Sequence, residues 1–236
     1  MWWFAALHRN LLMLAGRLPL ETVSRPLLDA GCGTGGFLVR LARRYPKSRL
    51  LGLDLDSSAC ARAALKSGCP VCTGSVNELP FADGTLAAIF SADVLCHGGV
   101  NEYRALRQFH RCLAKDGWLV LNLPAYRWML SGHDVAVSNT RRYTASGLCR
   151  LLRATGFRPV YLSYWNTLLF PLMVITRKVL SGNAARSSDV KLYPRFIDKL
   201  CRAAIGIEVV LLRVGLRLPF GGSVMVIAAR GGAAHG

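Results

Sequence analysis

A glycine-rich turn between two acidic residues is the part of this chain whose residue types most directly suggest chemistry. The turn reads Gly31-Cys-Gly-Thr-Gly-Gly36, with Asp29 just before it and Asp54 about 20 residues after its start. Glycines allow the backbone to approach a ligand closely, and the helix that follows such a turn directs its N–H groups to the same place. The spacing predicts a nucleoside-containing ligand whose ribose hydroxyls are bound by Asp54.

The charge of Asp29 distinguishes between two ligands of this kind. A dinucleotide would place its pyrophosphate against the Asp29 carboxylate, at a cost of a few kcal/mol at low effective dielectric. S-adenosylmethionine (SAM) carries a sulfonium and an α-ammonium instead, so the same carboxylate attracts it. We therefore predict SAM as the cofactor; the alternative is that Asp29 only caps the next helix. The predicted cofactor-binding residues are Asp29, Gly31, Cys32, Gly33, Gly35, Asp54, Leu55, Ser75, Val76, Asn77 and Ser91.

Methyl transfer from a sulfonium is an in-line displacement that needs proximity and, for a protonated acceptor, a base. The predicted catalytic residues are His97, Tyr126 and His133, with a hydrogen-bonded loop histidine as the alternative for His97. Tyr126 and His133 belong to a long polar and aromatic segment, as expected of a binding loop. The predicted substrate-binding residues are Trp3, Asp134, Arg141, Arg142 and Tyr143. The two arginines could bind a carboxylate or phosphate, or form structural pairs near the helix cap at Thr144.

Strand and helix patterns alternate along the chain and must position these residues. Apolar runs predict strands at 26–30, 49–54, 70–73, 85–91, 118–123, 158–164 and 222–229. Helical spacing predicts helices at 2–18, 36–45, 58–67, 101–114 and 144–155, with a turn at 115–117 before the fifth strand. This order predicts an α/β fold, a mostly parallel seven-stranded sheet covered on both faces. Ligands of such sheets bind at the carboxyl ends of the strands.

Several segments resemble the motifs of class I SAM-dependent methyltransferases of type 11 or type 12. They are residues 27–35 around the glycine turn, 51–54, 74–81, 91–97 and 113–119. The resemblance implies a Rossmann-like methyltransferase fold, SAM as cofactor and adenine contacts near Ser75 and Val76. Ser75 and Cys96 depart from it, since the family often has Asp at the first position and relatives often have Glu at the second. The N-terminal Trp-Trp-Phe, the HD…RRY loop and residues 218–221 resemble a subgroup often encoded near glycosyltransferase or envelope-lipid genes.

A long segment between the sixth and seventh strands replaces the usual hairpin loop. We expect three regions: an N-terminal helical cap (1–24), a SAM-binding domain (25–165 and 222–236) and a helical insertion (166–221). If residues 194–217 form one helix, its basic side chains share one narrow arc: Arg195, Lys199, Arg202, Arg213 and Arg217. A basic edge on an apolar helix is typical of an anionic membrane surface, although the same helix could cap the active site. Gly206 and Gly215 could break it.

Composition limits the class of protein. The chain has 236 residues, with 30 basic and 13 acidic side chains, a net charge of +17 and 52% apolar residues, so disorder is excluded. No apolar run is long enough to span a bilayer, and the N-terminus lacks the pattern of a secretory signal. The eight cysteines are expected to be reduced, and Cys69-x-x-Cys72 lacks the second pair of a metal site. We expect a cytoplasmic protein that can associate peripherally with the inner face of the membrane.

The predicted function is SAM-dependent methyl transfer to a small-molecule or lipid-like acceptor, at oxygen. Nucleic acid is disfavoured as a partner because the basic residues lie among long aliphatic side chains and the Asn/Asp-Pro-Pro-aromatic run of base methylation is missing. An RNA or protein methyltransferase, or a SAM-binding module without catalysis, are the alternatives. The sequence does not indicate an oligomeric state.

Overall fold

One sheet with helices on both faces makes up the computed structural model, which describes residues 2–132, 134, 138–178 and 195–231. The strands are β1 (Leu27–Ala30), β2 (Leu50–Asp54), β3 (Val71–Thr73), β4 (Leu86–Ala92), β5 (Leu113–Pro124), β6 (Phe157–Trp165) and β7 (Ser223–Arg230). The helices are α1 (Trp2–Ala15), α2 (Gly36–Arg44), α3 (Ser57–Ser67), α4 (Glu102–Cys112), α5 (Ala145–Ala154), α6 (Phe170–Lys178) and α7 (Arg195–Arg213), with a 3₁₀ turn at Arg127–Met129.

The strand order in the sheet is β3-β2-β1-β4-β5-β7-β6. β1 to β5 pair in parallel, and β7 lies antiparallel between β5 and β6. The chain leaves β1 towards β2 and returns to β4 on the other side, so β1 and β4 flank the point where the order reverses. Ligands of open α/β sheets bind in the crevice at this point.

Two apolar clusters cover the two faces of the sheet. Side chains alternate along each strand, so Leu28 packs into one cluster and Leu27 into the other. Helices α4 and α5 cover the first face, with Phe109 and Leu152 fully buried. Helices α1, α2 and α7 cover the second face together; their contributions include Leu11, Leu38 and Val209. The predicted α/β, Rossmann-like, mostly parallel seven-stranded sheet is confirmed.

One predicted boundary is wrong. The turn expected at Lys115-Asp116-Gly117 does not end a helix before a short strand, because β5 already begins at Leu113. Lys115 and Asp116 are exposed, and the pairing of β5 with β4 shifts register around them. The turn residues therefore form an irregularity inside the strand instead of a separate connection.

The insertion between β6 and β7 contains α6 and α7. Helix α7 runs through Gly206 and ends before Gly215, whose φ of +96° favours glycine. The amide of Leu216 donates to Leu211 O (3.1 Å) and that of Gly215 to Leu212 O (3.2 Å), a Schellman-type end. The break considered at Gly215 therefore occurs, and Arg217 lies outside the helix that would have carried the basic arc; residue 194 lies outside the described residues.

A buried carboxylate attaches α7 to the end of β6. Glu208 is 1% exposed and accepts hydrogen bonds from the backbone amides of Asn166 (2.6 Å) and Leu168 (2.5 Å). Burial raises the pKa of Glu208, while these hydrogen bonds act in the opposite direction. Of the described helices, none is long and apolar enough to cross a membrane.

Candidate active site

The glycine turn after β1 combines tight packing with one open position. Gly31, Gly33 and Gly35 all have positive φ, at 83°, 50° and 76°. A Cβ on Gly31 would lie 2.2 Å from Val94 Cγ2, and one on Gly35 would lie 2.9 Å from Ala63 Cα. A Cβ on Gly33 would meet nothing within 4 Å. The backbone at Gly33 therefore borders open space, as a ligand-binding turn requires.

Asp54 is fixed beside this turn at the end of β2. Its Oδ2 accepts a hydrogen bond from the Gly33 amide (2.7 Å), and its Oδ1 accepts one from the Asp56 amide (3.1 Å). A carboxylate has about four acceptor positions, so both oxygens can still accept hydrogen bonds from hydroxyl groups. This orientation suits a ribose lying over Gly33.

Asp29 is a buried carboxylate with one oxygen that accepts no hydrogen bond from the described residues. It is 4% exposed, and its Oδ2 has no hydrogen-bond partner among the described residues. Burial raises the pKa of Asp29 to about 7, and the nearby Asp54 adds to the effect. Buried polar atoms are normally hydrogen-bonded, so an orphaned oxygen beside an open turn indicates a missing cationic or donor partner. The α-ammonium of SAM, a cationic donor, fits this acceptor oxygen, whereas a phosphate does not.

Three more predicted cofactor residues lie around the same strand ends. Ser91 at the end of β4 donates its hydroxyl to Ala30 O (2.9 Å), which ties β4 to β1 beside the turn. Cys32 is buried within the turn, and burial raises the pKa of its thiol to about 12. Leu55 follows β2 and is 75% exposed, so its side chain is available to pack on a ligand.

The residues predicted to contact the adenine lie after β3. Val76 is buried, and Ser75 Oγ accepts a hydrogen bond from the Asn77 amide (3.2 Å). The Asn77 side chain donates to Gly99 O (3.0 Å) and accepts from the Asn101 amide (2.9 Å). Asn77 thereby joins this segment to the loop before α4, and its contact with the cofactor stays a prediction.

The loop that contains His97 is held by Arg141. The Arg141 guanidinium donates to the carbonyls of Leu95 (3.1 Å), Val100 (2.5 Å) and His97. Tyr143 is 8% exposed, with its hydroxyl near the same Leu95 carbonyl (2.9 Å). These contacts favour a structural role for Arg141, the alternative considered for the two arginines, and substrate binding by Tyr143 stays a prediction. His97 itself is half-buried, and its backbone bridges to Asn139.

Arg142 and Asp134 form a buried ion pair. Their side chains are 4% and 1% exposed, and Arg142 Nη2 lies 2.7 Å from Asp134 Oδ1. Arg142 also donates to Ala125 O (3.0 Å), at the end of β5. The structure thus favours the structural pair over direct substrate binding by these two residues. His133 lies outside the described residues, so its predicted catalytic role stays a prediction.

Five rings form an aromatic cluster at the ends of β5 and β6: Tyr126, Trp128, Tyr164, Phe170 and Phe220. Tyr126 stacks on Tyr164 (ring centroids 5.4 Å apart) and on Trp128 (5.8 Å), and contacts Phe170 (5.5 Å). Phe170 in turn contacts Phe220 (5.9 Å). Burial and the hydrogen bond with Tyr164 raise the pKa of Tyr126 to about 12, which disfavours it as a base near neutral pH. Trp128 and Phe220 are 48% and 43% exposed.

Sequence reasoning did not select Asp93 or Asn122, which meet at the ends of β4 and β5. Asn122 Nδ2 donates to Asp93 Oδ1 (3.0 Å), and Asn122 Oδ1 accepts from Trp165 Nε1 (2.6 Å). Trp3, a predicted substrate contact, stacks on Trp165 with ring centroids 4.5 Å apart. Asp93 could have been noticed as the acidic residue of the segment 91–97. Asn122 lies inside an apolar strand and gave no signal.

The part of the sequence that contains the glycine turn, Asp54 and β4 matches known proteins. Residues 28–121 match the family described as a methyltransferase domain. This chain contains a class I SAM-dependent methyltransferase domain. The cofactor of the methyltransferase domain is SAM, as predicted, and the enzyme class expected from the motifs is confirmed at the level of the domain.

Two curated relatives of the methyltransferase domain are malonyl-acyl-carrier-protein O-methyltransferases. That of Legionella pneumophila is 30% identical over 105 residues, 43% of this chain and 37% of the relative. That of Dechloromonas aromatica is 35% identical over 120 residues, 50% of this chain and 43% of the relative. The chain therefore spans less than half the length of these relatives.

A solved structure shows the same fold over nearly the whole chain. Geranyl diphosphate C-methyltransferase from Streptomyces coelicolor A3(2) superposes with a TM-score of 0.64 at 16% identity. The match covers 94% of this chain and 75% of that chain. The sheet and its flanking helices are thus those of a class I methyltransferase.

Proposed function

We propose that this chain transfers a methyl group from SAM to a small-molecule or lipid-like acceptor, at oxygen. The observation that carries the proposal is the buried, uncompensated Asp29 carboxylate beside the open backbone of Gly33. A neighbouring ammonium would give Asp29 the partner that it lacks among the described residues, and Asp54 would hold the ribose. The O-methyltransferase names of two relatives support oxygen as the target.

The aromatic cluster supports an acceptor with an apolar part. It lies at the carboxyl ends of β5 and β6, and the glycine turn lies at the carboxyl end of β1, on the same edge of the sheet. Its two exposed rings, Trp128 and Phe220, offer flat apolar surface to a chain or ring of the acceptor. Aromatic residues at such a site would also exclude water from the transfer step.

In this mechanism the chain mainly binds and orients. SAM, when bound, supplies an electrophilic methyl group on a sulfonium whose charge disappears during transfer. Asp29 would hold the α-ammonium of the donor and Asp54 its ribose, and the aromatic cluster would hold the acceptor oxygen in line with the methyl group. His97, on the loop held by Arg141, is the described histidine that we propose near the acceptor.

Calorimetry of the full chain with SAM, S-adenosylhomocysteine and NADH tests the cofactor site. We expect the first two to bind and NADH not to bind, with Asp29→Asn and Asp54→Asn each weakening SAM binding at least tenfold. Asp116→Asn is the matched control, because Asp116 is 77% exposed and distant in sequence from the turn. Binding of NADH without binding of SAM would overturn the proposal.

Release of S-adenosylhomocysteine tests the acceptor class. The screen compares apolar-tailed alcohols and carboxylic acids with amines, total RNA and a peptide pool. We expect turnover with an oxygen acceptor that carries an apolar chain. Turnover confined to RNA or peptide would favour those alternatives, and SAM binding without any turnover would favour a non-catalytic module.

We also propose that α7 brings the chain to an anionic membrane surface. Its outer face consists of Ala203, Ile207, Val210 and, just past the helix, Val214, all of them exposed; Ile207 and Val210 are 56% and 57% exposed. Arg213, the last residue of α7, is exposed, and so is Arg217 beyond the helix, whose guanidinium lies 5.4 Å from the centroid of the Tyr161 ring. Apolar area with adjacent cations complements an anionic headgroup layer.

Vesicle flotation tests this surface. Vesicles of phosphatidylcholine with phosphatidylglycerol should recover the protein at low salt, and neutral vesicles should recover much less. The variant Ile207→Ser/Val210→Ser should lose recovery, while Leu65→Ser, at a 90% exposed position on α3, should keep it. Equal recovery of the first variant and wild type would contradict the proposal.

A further inference from the structure

Asp93 lies between the glycine turn after β1 and the end of β5. The next residue, Val94, packs closely against Gly31. A Cβ on Gly31 would lie only 2.2 Å from Val94 Cγ2. The Asp93 amide donates to Asn122 O (2.8 Å), at the end of β5. Asp93 thus lies between the glycine turn, where the donor is proposed to bind, and the end of β5, which leads into the aromatic cluster.

The backbone and burial of Asp93 set it apart from ordinary surface aspartates. Its φ of +56° turns the chain sharply at the end of β4, in a region that non-glycine residues seldom adopt and that is enriched at functional sites. The side chain is half-buried. Among the described residues its Oδ2 accepts no hydrogen bond, so one oxygen remains available for a ligand.

Asn122 can present only its amino group to Asp93. The Trp165 indole N–H is purely a donor, so the oxygen of the Asn122 amide must face it and Nδ2 must face Asp93. Trp165 is fully buried and is covered by Trp3 of α1. The hydrogen bond from Trp165 therefore fixes the orientation of the Asn122 amide. With this orientation, Asn122 Nδ2 donates to Asp93 Oδ1.

We infer that Asp93 is the group that accepts the proton of the methyl acceptor, and that Asn122 positions it. The inference rests on the proposed function and narrows the acceptor to one with a removable proton, a hydroxyl in the first place. The acceptor O–H bond breaks and its oxygen forms the new bond to the methyl carbon. The carbon–sulfur bond breaks with its electron pair staying on sulfur, and the proton passes to the Asp93 carboxylate and then to solvent.

The electrostatic surroundings suit this role. Burial raises the pKa of Asp93 to about 7, while the hydrogen bond from Asn122 and the charge of Arg142 act in the opposite direction. Cys96 lies on the same segment, and its thiol is kept neutral because burial and Asp93 raise its pKa. A base is most effective when its pKa lies near the working pH.

The experiment compares Asp93→Asn with wild type, using the acceptor that supports S-adenosylhomocysteine release. Asparagine keeps the size and can still accept from Asn122, so we expect a folded protein. The expected result is a kcat at least 100-fold lower, with SAM affinity within threefold of wild type and no rise of kcat through pH 7. Asp116→Asn, the control, should match wild type in all three.

A second variant tests the positioning role of Asn122. Asn122→Ala removes the hydrogen bond that lowers the pKa of Asp93, so the rise of kcat should move to higher pH with little change in KM. Wild-type turnover by Asp93→Asn overturns the inference. Loss of SAM affinity in place of turnover also overturns it, because Asp93 would then be a ligand of the donor.

A structure with SAM bound decides the question without an acceptor. If wild type turns over nothing in the screen, the proposed function has failed separately. An Asp93 oxygen within about 6 Å of the methyl carbon, the sum of an attack distance and a hydrogen bond, supports the inference. Contact of Asp93 with the α-ammonium, or a side chain turned away from the donor, overturns it.

Discussion

At the scale of single residues, Asp29 links the donor site to the pH dependence of stability. Burial raises its pKa to about 7 in the folded protein, whereas the unfolded chain has a value near 3.8. The folded state therefore holds a proton that the unfolded state has lost between these values. Without ligand, the contribution of Asp29 to stability is present below about pH 4 and falls as pH rises to about 7.

Asp29→Asn should separate stability from binding. The variant has no carboxyl to ionise, so its free energy of unfolding should exceed that of wild type by a margin that grows between pH 4 and 7 and reaches a few kcal/mol, at about 1.4 kcal/mol per pKa unit. Urea unfolding at pH 5 and pH 8 measures the margin. A margin that is equal at the two pH values would contradict the assigned pKa.

Gly33 and Gly35 offer a matched pair within the turn. Gly35→Ala forces a Cβ to within 2.9 Å of Ala63 Cα, so we expect a loss of several kcal/mol of stability. Gly33→Ala meets open space and should cost only about 1 kcal/mol of backbone strain, yet weaken SAM binding at least tenfold. Thermal unfolding and calorimetry measure the two effects. Undiminished SAM binding by Gly33→Ala would show that the open space is not the donor site.

The sequence alone led to the residues proposed for the donor half of the site, but not to the side-chain pairs of the acceptor half. Asp29, the turn and Asp54 are local in sequence, and their types specify charge and close approach. The pairs Asp93–Asn122 and Asp134–Arg142 join residues whose partners depend on how β5 and its following loop fold. Nothing in the local pattern distinguishes an arginine that binds substrate from one that neutralises a buried aspartate.

At the scale of elements, the attachment of α7 depends on one side chain. Glu208→Ala would leave the amides of Asn166 and Leu168 without their acceptor, at about 1–3 kcal/mol for each buried group. We expect faster amide hydrogen exchange at 166–168 and in α7, while β1 to β5 keep their protection. Glu78→Ala, at a 79% exposed position, is the control. Unchanged exchange at 166–168 would mean that Glu208 does not hold the segment.

Element types followed from the sequence more reliably than element ends. Alternating apolar runs and helical spacing predicted every strand of the sheet, because burial on both faces imposes those patterns. The extension of β5 back to Leu113 could not be predicted, since Lys115-Asp116-Gly117 has the composition of a turn. The attachment of α7 through Glu208 could not be predicted either, because the backbone amides that donate to its carboxylate lie about 40 residues away in sequence.

At the scale of the whole molecule, α1 and α7 share one apolar cluster with the sheet. Leu11 of α1 is 1% exposed, so Leu11→Ala should cost about 2–5 kcal/mol. Because the cluster is continuous, we expect the loss to lower one unfolding transition, seen alike by far-ultraviolet circular dichroism and tryptophan fluorescence. Leu65→Ala, at a 90% exposed position, should leave the transition unchanged. Two separate transitions would show that the N-terminal helix unfolds on its own.

The position of Asp29 has a consequence for turnover in the cell. The ammonium that this carboxylate would hold is retained when the donor has given up its methyl group, so spent and fresh donor compete for the same anchor with similar strength. Product inhibition by S-adenosylhomocysteine follows from that arrangement. The proposed methyl transfer would therefore slow as S-adenosylhomocysteine accumulates and recover as that by-product is removed.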